Sequence, residues 1–197
     1  GHTALGICDR NTMGATLALQ KACDKTGIRP VIGYTCTLSH EGEKVEVKIY
    51  CQSQRGLRNL LRIQKAVMVD AADATVSLPE LLRRGEGNVL VFGKLSPFWM
   101  EKNLHAVKAL RETFDNVFYQ VDLSEYKAER LDAEVLKATA HFFHTFYDEK
   151  NDIFLVEPIL IADCYYPDKD DARTKTVLNK IATGATHAQS DDQYFKD

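Results

Sequence analysis

Apolar residues fall in short blocks whose period switches between two and 3.6, and that switching predicts strands alternating with helices. Residues 4–8, Ala-Leu-Gly-Ile-Cys, are an apolar run that stops at Asp9-Arg10-Asn11-Thr12, the pattern of a buried strand emptying into a loop. A helix capped by Asn11 or Thr12 follows, with Leu17, Leu19 and Ala22 as apolar positions and Gly27 placed for a left-handed end. Pro30 blocks its continuation, and residues 31–34 read as a second buried strand. Val45, Val47, Ile49 and Cys51 then alternate with Glu46, Lys48 and Tyr50, predicting a third strand with one wet face.

From Arg55 the period changes: Leu57, Leu60, Leu61, Ile63 and Val67 share one helical stripe while Arg58, Arg62 and Lys65 face elsewhere. After a loose stretch at 70–76, Ser77 caps a short Leu-Pro-Glu-Leu-Leu helix that ends before Gly85 and Gly87. Further cycles give a strand at 88–92, a helix at 104–114, a strand at 117–121, a long helix at 125–147, a strand at 154–162 and a last helix at 170–182. Strands and helices in alternation, with crossovers of a dozen or more residues, predict a mostly parallel α/β arrangement, with an open sheet and a barrel both compatible. No repeat or Pro/Gly/Ser-rich linker divides residues 1–197, which read as one domain.

Composition narrows the class without choosing a reaction. With 45% apolar and 27% charged residues over 197 positions, disordered and collagen-like chains are excluded. A formal charge of −3 argues against a wholesale phosphate-binding surface and leaves room for a local basic face. The five cysteines, Cys8, Cys23, Cys36, Cys51 and Cys164, form no C-x-x-C pair and read as reduced cytosolic thiols. No secretory signal pattern and no apolar run of about 18 residues occur, so membrane insertion has no support.

Functional loops of parallel α/β folds gather where strands end, which singles out Asp9 and Asp163. A carboxylate there is held by a rigid strand yet reaches the open face, as a metal ligand or general base must; a loop-entry or N-cap aspartate is the plainer alternative. His141-Phe-Phe-His144 carries two imidazoles at i and i+3, but the glutamate of H-E-x-x-H is missing and the phenylalanines point to a packed helix face. His2, His40, His105 and His187 are scattered, Cys164 has no histidine partner, and Arg55, Arg58, Arg62 and Lys65 read as a solvated helix face. G-x-S-x-G, P-loop and G-x-G-x-x-G motifs are absent.

The run Ala4-Leu-Gly-Ile-Cys-Asp-Arg-Asn-Thr-Met-Gly-Ala15, followed by Lys21-Ala-Cys23 and Gly27-Ile-Arg-Pro-Val-Ile-Gly33, resembles the PHP (polymerase and histidinol phosphatase) domain of the bacterial DNA polymerase III alpha subunit. In that family a strand ends in a Thr-Asp-His-like triplet, and Gly-Ile-Lys-Pro-Ile-Ile-Gly leads into the next strand. Gly56-Leu-Arg-Asn-Leu-Leu61 resembles the family's Gly-Tyr-x-Asn-Leu helix start. Asp163-Cys-Tyr-Tyr166, with Asp170, Leu178 and Thr183-Gly184, resembles its Asp-Val-His-Tyr and distal Thr-Gly.

The resemblance implies a distorted (β/α)7 TIM-type barrel, incomplete at its N-terminus because the chain begins after the family's opening His-x-His strand, and with no polymerase core in residues 1–197. It also implies a degenerate metal site. Asp9 matches the family's aspartate, but Arg10 replaces the following His, Thr35 a Glu, Glu46 a His and Tyr165 the His of Asp-x-His. An arginine among metal ligands adds a charge that cannot be titrated away, so Arg10 is expected to pair with Asp9 or Glu46 in place of metal. No catalytic residue and no bound metal are therefore expected; zinc or manganese belongs to the alternative of an active metal-dependent phosphoesterase, and magnesium to the parent polymerase. The implied role is that of a scaffold in DNA replication. Its implied partners are the polymerase core of the same polypeptide, a proofreading exonuclease, and DNA through the parent protein, in the cytoplasm and away from membranes. An unrelated α/β binding domain is a third reading, which an open sheet would favour.

Overall fold

A computed structural model of the chain describes residues 2–123 and 132–164, together with 171, 174, 177 and 178. Seven strands form one sheet. Its path runs β1 (Ala4–Arg10), β2 (Arg29–His40), β3 (Glu43–Cys51), β5 (Asn88–Phe92), β6 (Asn116–Val121) and β9 (Glu157–Leu160), with β4 (Thr75–Ser77) beside the second half of β2. The pairs β1/β2, β2/β4, β5/β6 and β6/β9 are parallel, whereas β3 runs antiparallel to both β2 and β5.

The expected mostly parallel sheet is thus a mixed one, for a local reason. His40 pairs with Glu43 across a two-residue turn in which Glu41 and Gly42 have φ of 51° and 81°. Two successive positive φ values make the primed turn whose twist matches that of a hairpin, and Glu-Gly is a weaker signal for it than Asn-Gly. A second short hairpin joins β7 (Tyr147–Asp148) and β8 (Ile153–Phe154), where the sequence had suggested one strand over 154–162.

Helices α2 (Gln54–Lys65), α3 (Leu78–Arg83), α4 (Pro97–Lys102), α5 (Leu104–Thr113) and α6 (Ala133–Phe146) surround a core on one face of the sheet. Alternation along the strands assigns that face. Tyr34, Cys36, Val47, Ile49, Leu90, Phe92, Tyr119 and Val121 join it, packed against Leu60, Ile63, Leu81, Leu110 and Phe142. The opposite, concave face carries Val31, Thr35, Lys48, Tyr50, Val91, Phe118 and Gln120, which share registers across the strands.

The sheet curls around this second face. Arg10 at the end of β1 and Asp163 beyond β9 line one cavity, while β1 and β9 make no pairing with each other among the described residues. The expected barrel is therefore present as a curled half-barrel. Two further expectations change with it. The β1 strand is not buried, Leu5 being 51% exposed, because it lies at the sheet edge. Helix α1 (Thr16–Thr26) starts at Ala15 with no side-chain cap and buries only Cys23, so Asn11 and Thr12 are not its caps and Leu17 faces outward. Gly27 does end it, with φ 69°. The last expected helix, at 170–182, lies outside the described residues except at 171, 174, 177 and 178.

Ser53 caps α2 by accepting the Gly56 N–H at 3.0 Å, and the first turn of α2 presses on the turn before β5. A Cβ at Gly56 would overlap the Gly87 carbonyl. Gly56→Ala should lower stability by about 1–3 kcal/mol through this backbone clash, visible as a reduced Tm in thermal unfolding followed by circular dichroism. An unchanged Tm would mean that the helix can move off Gly87 without cost.

Candidate functional site

The concave face supplies a row of charged side chains around a cavity of about 610 Å³. Because β3 alternates, Val47 and Ile49 enter the helix-covered core and Glu46 and Lys48 are forced to the other side. That side is not wet. Lys48 is 6% exposed, and its Nζ donates to Gln120 Oε1 and to Asp163 Oδ1, both at 2.6 Å. Gln120, fully buried in β6, uses its amide to donate to the Ile161 carbonyl at 2.9 Å and to Asp163 Oδ1 at 3.0 Å. The segment after β9 is thereby fixed against the middle of the sheet.

A second cation completes the arrangement. Lys94, just past β5, reaches Asp122 Oδ2 and Asp163 Oδ2, each at 3.1 Å, and Asp163 N–H donates to Asp122 Oδ2 at 3.4 Å. On the opposite wall Arg10 forms an ion pair with Glu46. Thr35 donates to the Cys8 carbonyl at 2.9 Å and so ties β1 to β2 beside them. Asp9 lines the rim and is exposed; its register partner is Tyr34, whereas Arg10 shares the cavity-facing register with Thr35. Arg10, not Asp9, is the β1 residue on the concave face. A larger cavity of about 710 Å³ lies farther down the same face, with the mainly aliphatic and aromatic lining of Val31, Val89, Val91, Phe118 and Ile159.

Burial disfavours the charged form of Asp163, but the hydrogen bonds from Lys48 and Gln120, the Lys48 charge and Lys94 outweigh it and hold its pKa down at about 2. Burial likewise opposes the charge on Lys94, and its bonds to Asp122 and Asp163 prevail, raising its pKa above the ordinary lysine range. These groups form a compensated network of permanent charges rather than a poised acid and base. Burial pushes the Cys8 thiol up, which removes it as a nucleophile, and Cys164 is exposed with its Sγ 3.8 Å from the Ala162 carbonyl.

Of the positions singled out from the sequence, Asp9, Arg10, Thr35, Glu46 and Asp163 all line this cavity, and Tyr165 lies outside the described residues, as do Asp170, Thr183 and Gly184. Arg10 takes Glu46, the second of its two expected partners. His141 and His144 do not converge on a shared ligand site: His141 bonds Glu101 at 2.9 Å and stacks on Phe98, and His144 is exposed. Sequence reasoning missed Lys48, Lys94, Gln120 and Asp122. Lys94 and Asp122 were within reach, since they follow the strands at 88–92 and 117–121 just as Asp163 follows the last strand.

The donor chemistry does not fit the multi-metal cluster that the resemblance brings with it. Ammonium and guanidinium groups offer no lone pair, and Glu46, Asp122 and Asp163 already accept from Arg10, Lys94, Lys48 and Gln120. Among the described residues lining the cavity there is no imidazole. Zinc and manganese sites draw on neutral imidazoles and unengaged carboxylates.

Comparison with known proteins gives three findings. The model of the PHP domain family matches residues 1–139. DNA polymerase III subunit alpha from Halalkalibacterium halodurans is 28% identical over 82 residues, 41% of this chain and 7% of that protein. DNA polymerase III subunit alpha from Streptococcus pyogenes is 28% identical over 68 residues, 34% of this chain. The match thus spans only 7% of the length of these relatives. Among solved structures, a Bifidobacterium adolescentis protein assigned as a metal-dependent phosphoesterase aligns at TM-score 0.38 with 11% identity, over 70% of this chain and 74% of that one, too distant a likeness to bear on function.

The depressed Asp163 pKa makes a pH prediction. Its folded value of about 2 lies below that of an unfolded aspartate, about 3.9. The carboxylate therefore contributes stability above roughly pH 4 and loses it as the pH falls through 4 towards 2. Asp163→Asn should be destabilised by about 3–5 kcal/mol at pH 7, because Lys48 is left buried without its nearest anion, and should lose this part of the acid transition. Urea titrations between pH 2 and 7 test it; identical pH profiles for the two proteins would show that the pair does not couple to folding.

Proposed function

The chain belongs to the PHP domain family, and from that premise we propose that it is a non-catalytic PHP domain whose bound metal has been replaced by fixed side-chain cations. The ion-pair network carries this reading: Lys48 and Lys94 hold Asp163 from both sides and Arg10 holds Glu46, so positive charge faces the strand-end carboxylates. An ammonium neutralises and positions carboxylates, but it activates no water and polarises no phosphoryl oxygen as a divalent ion does. The domain then acts as a scaffold.

Kinship with DNA polymerase III alpha subunits supports a place in DNA replication. Residues 1–197 are read as one PHP domain, and the polymerase core is not among them. That core and a proofreading exonuclease are its partners, and DNA is reached through the parent protein. Nucleotidyl transfer, with its magnesium, belongs to the polymerase core. No helix among the described residues is long and apolar enough to cross a membrane; it is the kinship with DNA polymerase III alpha subunits that supports a cytoplasmic location. The curled half-barrel leaves the edges of β1 and β9 unpaired with each other, yet the family match outweighs the open sheet that an unrelated binding domain would have explained.

Asp9→Asn separates the scaffold from an active phosphoesterase, since Asp9 is exposed and takes no part in the ion pairs. After loading with zinc or manganese and desalting, plasma mass spectrometry should find the same metal content in Asp9→Asn and the unaltered protein. Neither should hydrolyse a generic phosphomonoester. A metal content or turnover that falls with Asp9→Asn would restore the phosphoesterase.

A further inference from the structure

His40 and His105 are 65 positions apart in the sequence, yet the fold places their Nε2 atoms 3.0 Å from each other. His40 ends β2 and is half-buried; His105 is the second residue of α5 and faces solvent. Glu41, at the hairpin turn, brings a carboxylate oxygen 3.7 Å from His40 Nε2, and the three donor atoms all lie within 4.8 Å of one another. We propose that His40, Glu41 and His105 bind a zinc-class divalent cation that clasps the β2–β3 hairpin to helix α5.

Two imidazoles facing through Nε2 have two ways to relieve lone-pair repulsion: one N–H donates to the other ring, or both lone pairs share a cation. The third donor decides between them. The Glu41 oxygen, 3.7 Å from His40 Nε2, is too far to accept its N–H, whereas a cation between the rings draws on it as a third donor. Among the described residues Glu41 has no lysine or arginine partner, while Glu43, two positions on, is taken by Lys102 and Asn103. Two nitrogens and one carboxylate oxygen are a ligand set for zinc, with water in a fourth position. At zinc–ligand distances of roughly 2.0–2.1 Å, tetrahedral donors are about 3.3 Å apart. The imidazoles need to part by a few tenths of an ångström and to swing so that their lone pairs, now nearly head-on with ring centroids 5.2 Å apart, converge on the cation, and the exposed Glu41 side chain is free to close in. The site lies apart from the strand-end cavity, whose lining it does not share.

Trp99 supplies a reporter. It is the sole tryptophan of the chain, and its ring meets that of His40 edge-on at 6.3 Å between centroids. The untagged protein of residues 1–197, loaded with zinc and desalted, should retain about one zinc per chain. His105→Ala should retain none, and His141→Ala, altered on a different helix, should keep it. Nickel ions should quench Trp99 fluorescence, with zinc competing and His105→Ala abolishing the effect. At zinc about 100-fold above Kd the Tm should rise by roughly 5–10 °C in the unaltered protein and not in His105→Ala. An unaltered protein that retains no zinc would reduce the pair to an N–H···N hydrogen bond and overturn the proposal. So would retention that survives His105→Ala; if it then fails in Asp9→Asn, the metal sits in the strand-end cavity and the scaffold reading falls instead.

Discussion

Lys48 is the group on which the concave side of this fold depends. An ammonium 6% exposed in the middle of a strand is tolerable only if its donors are met, and two bonds from distant parts of the chain meet them while a nearby carboxylate adds charge. Gln120 comes from β6, Asp163 from the segment beyond β9, and Glu46 lies 3.9 Å away on Lys48's own strand. Since Asp163 also receives Lys94, the charge demand of one lysine ties the ends of β5, β6 and β9 into a single polar wall. Take away the anion and the penalty is that of an uncompensated buried charge, not of one lost hydrogen bond. The apolar core lies on the other face; this wall holds the segment beyond β9 against the middle of the sheet.

Strand positions were legible because hydrophobic alternation survives folding almost unchanged. Residues 88–92 were read as a strand and form β5, and the period of two across Val45 to Cys51 is that of β3. What alternation did not say is where the polar face goes. In a flat sheet with helices on one side, Glu46, Lys48 and Tyr50 would meet water, and they were read so. In a curled sheet the same face becomes an interior, and polar residues there are satisfied by one another. Composition carries no trace of curl, which is why Lys48 and Gln120 escaped notice while Asp9 and Asp163, at two of the strand ends, did not.

The misread details share a cause at the edges. A strand predicted as buried from Ala4 to Cys8 has an apolar sequence suited to a neighbour on each side, yet it lies at the sheet margin with Leu5 largely exposed. Helix α1, which covers that margin, has only Cys23 buried. Sequence periodicity reports the burial a segment is suited to, and a local structure reports what lies beside it. Histidine pairing is hidden for a similar reason: His40 and His105 look scattered until the β2–β3 hairpin and α5 are placed side by side.

Replacing divalent ions by lysine and arginine preserves one property of a metal site and discards the rest. Positive charge at the strand ends still neutralises carboxylates and still cross-links elements that have no apolar surface to bury against each other. A side-chain cation, however, arrives covalently attached, so its position is fixed by the strand that bears it and it owes nothing to metal supply. It also has no vacant coordination position, so no substrate oxygen or water can be drawn to it as to a Lewis acid. In this chain the side-chain cations are distributed over three strands: Arg10 at the end of β1, Lys48 within β3 and Lys94 after β5. Restoring a metal site would take several coordinated substitutions, because the cations share their anions: Asp163 receives both Lys48 and Lys94, and Glu46 lies near both Arg10 and Lys48. On the proposed scaffold reading, that sharing makes the site one where the domain is held together.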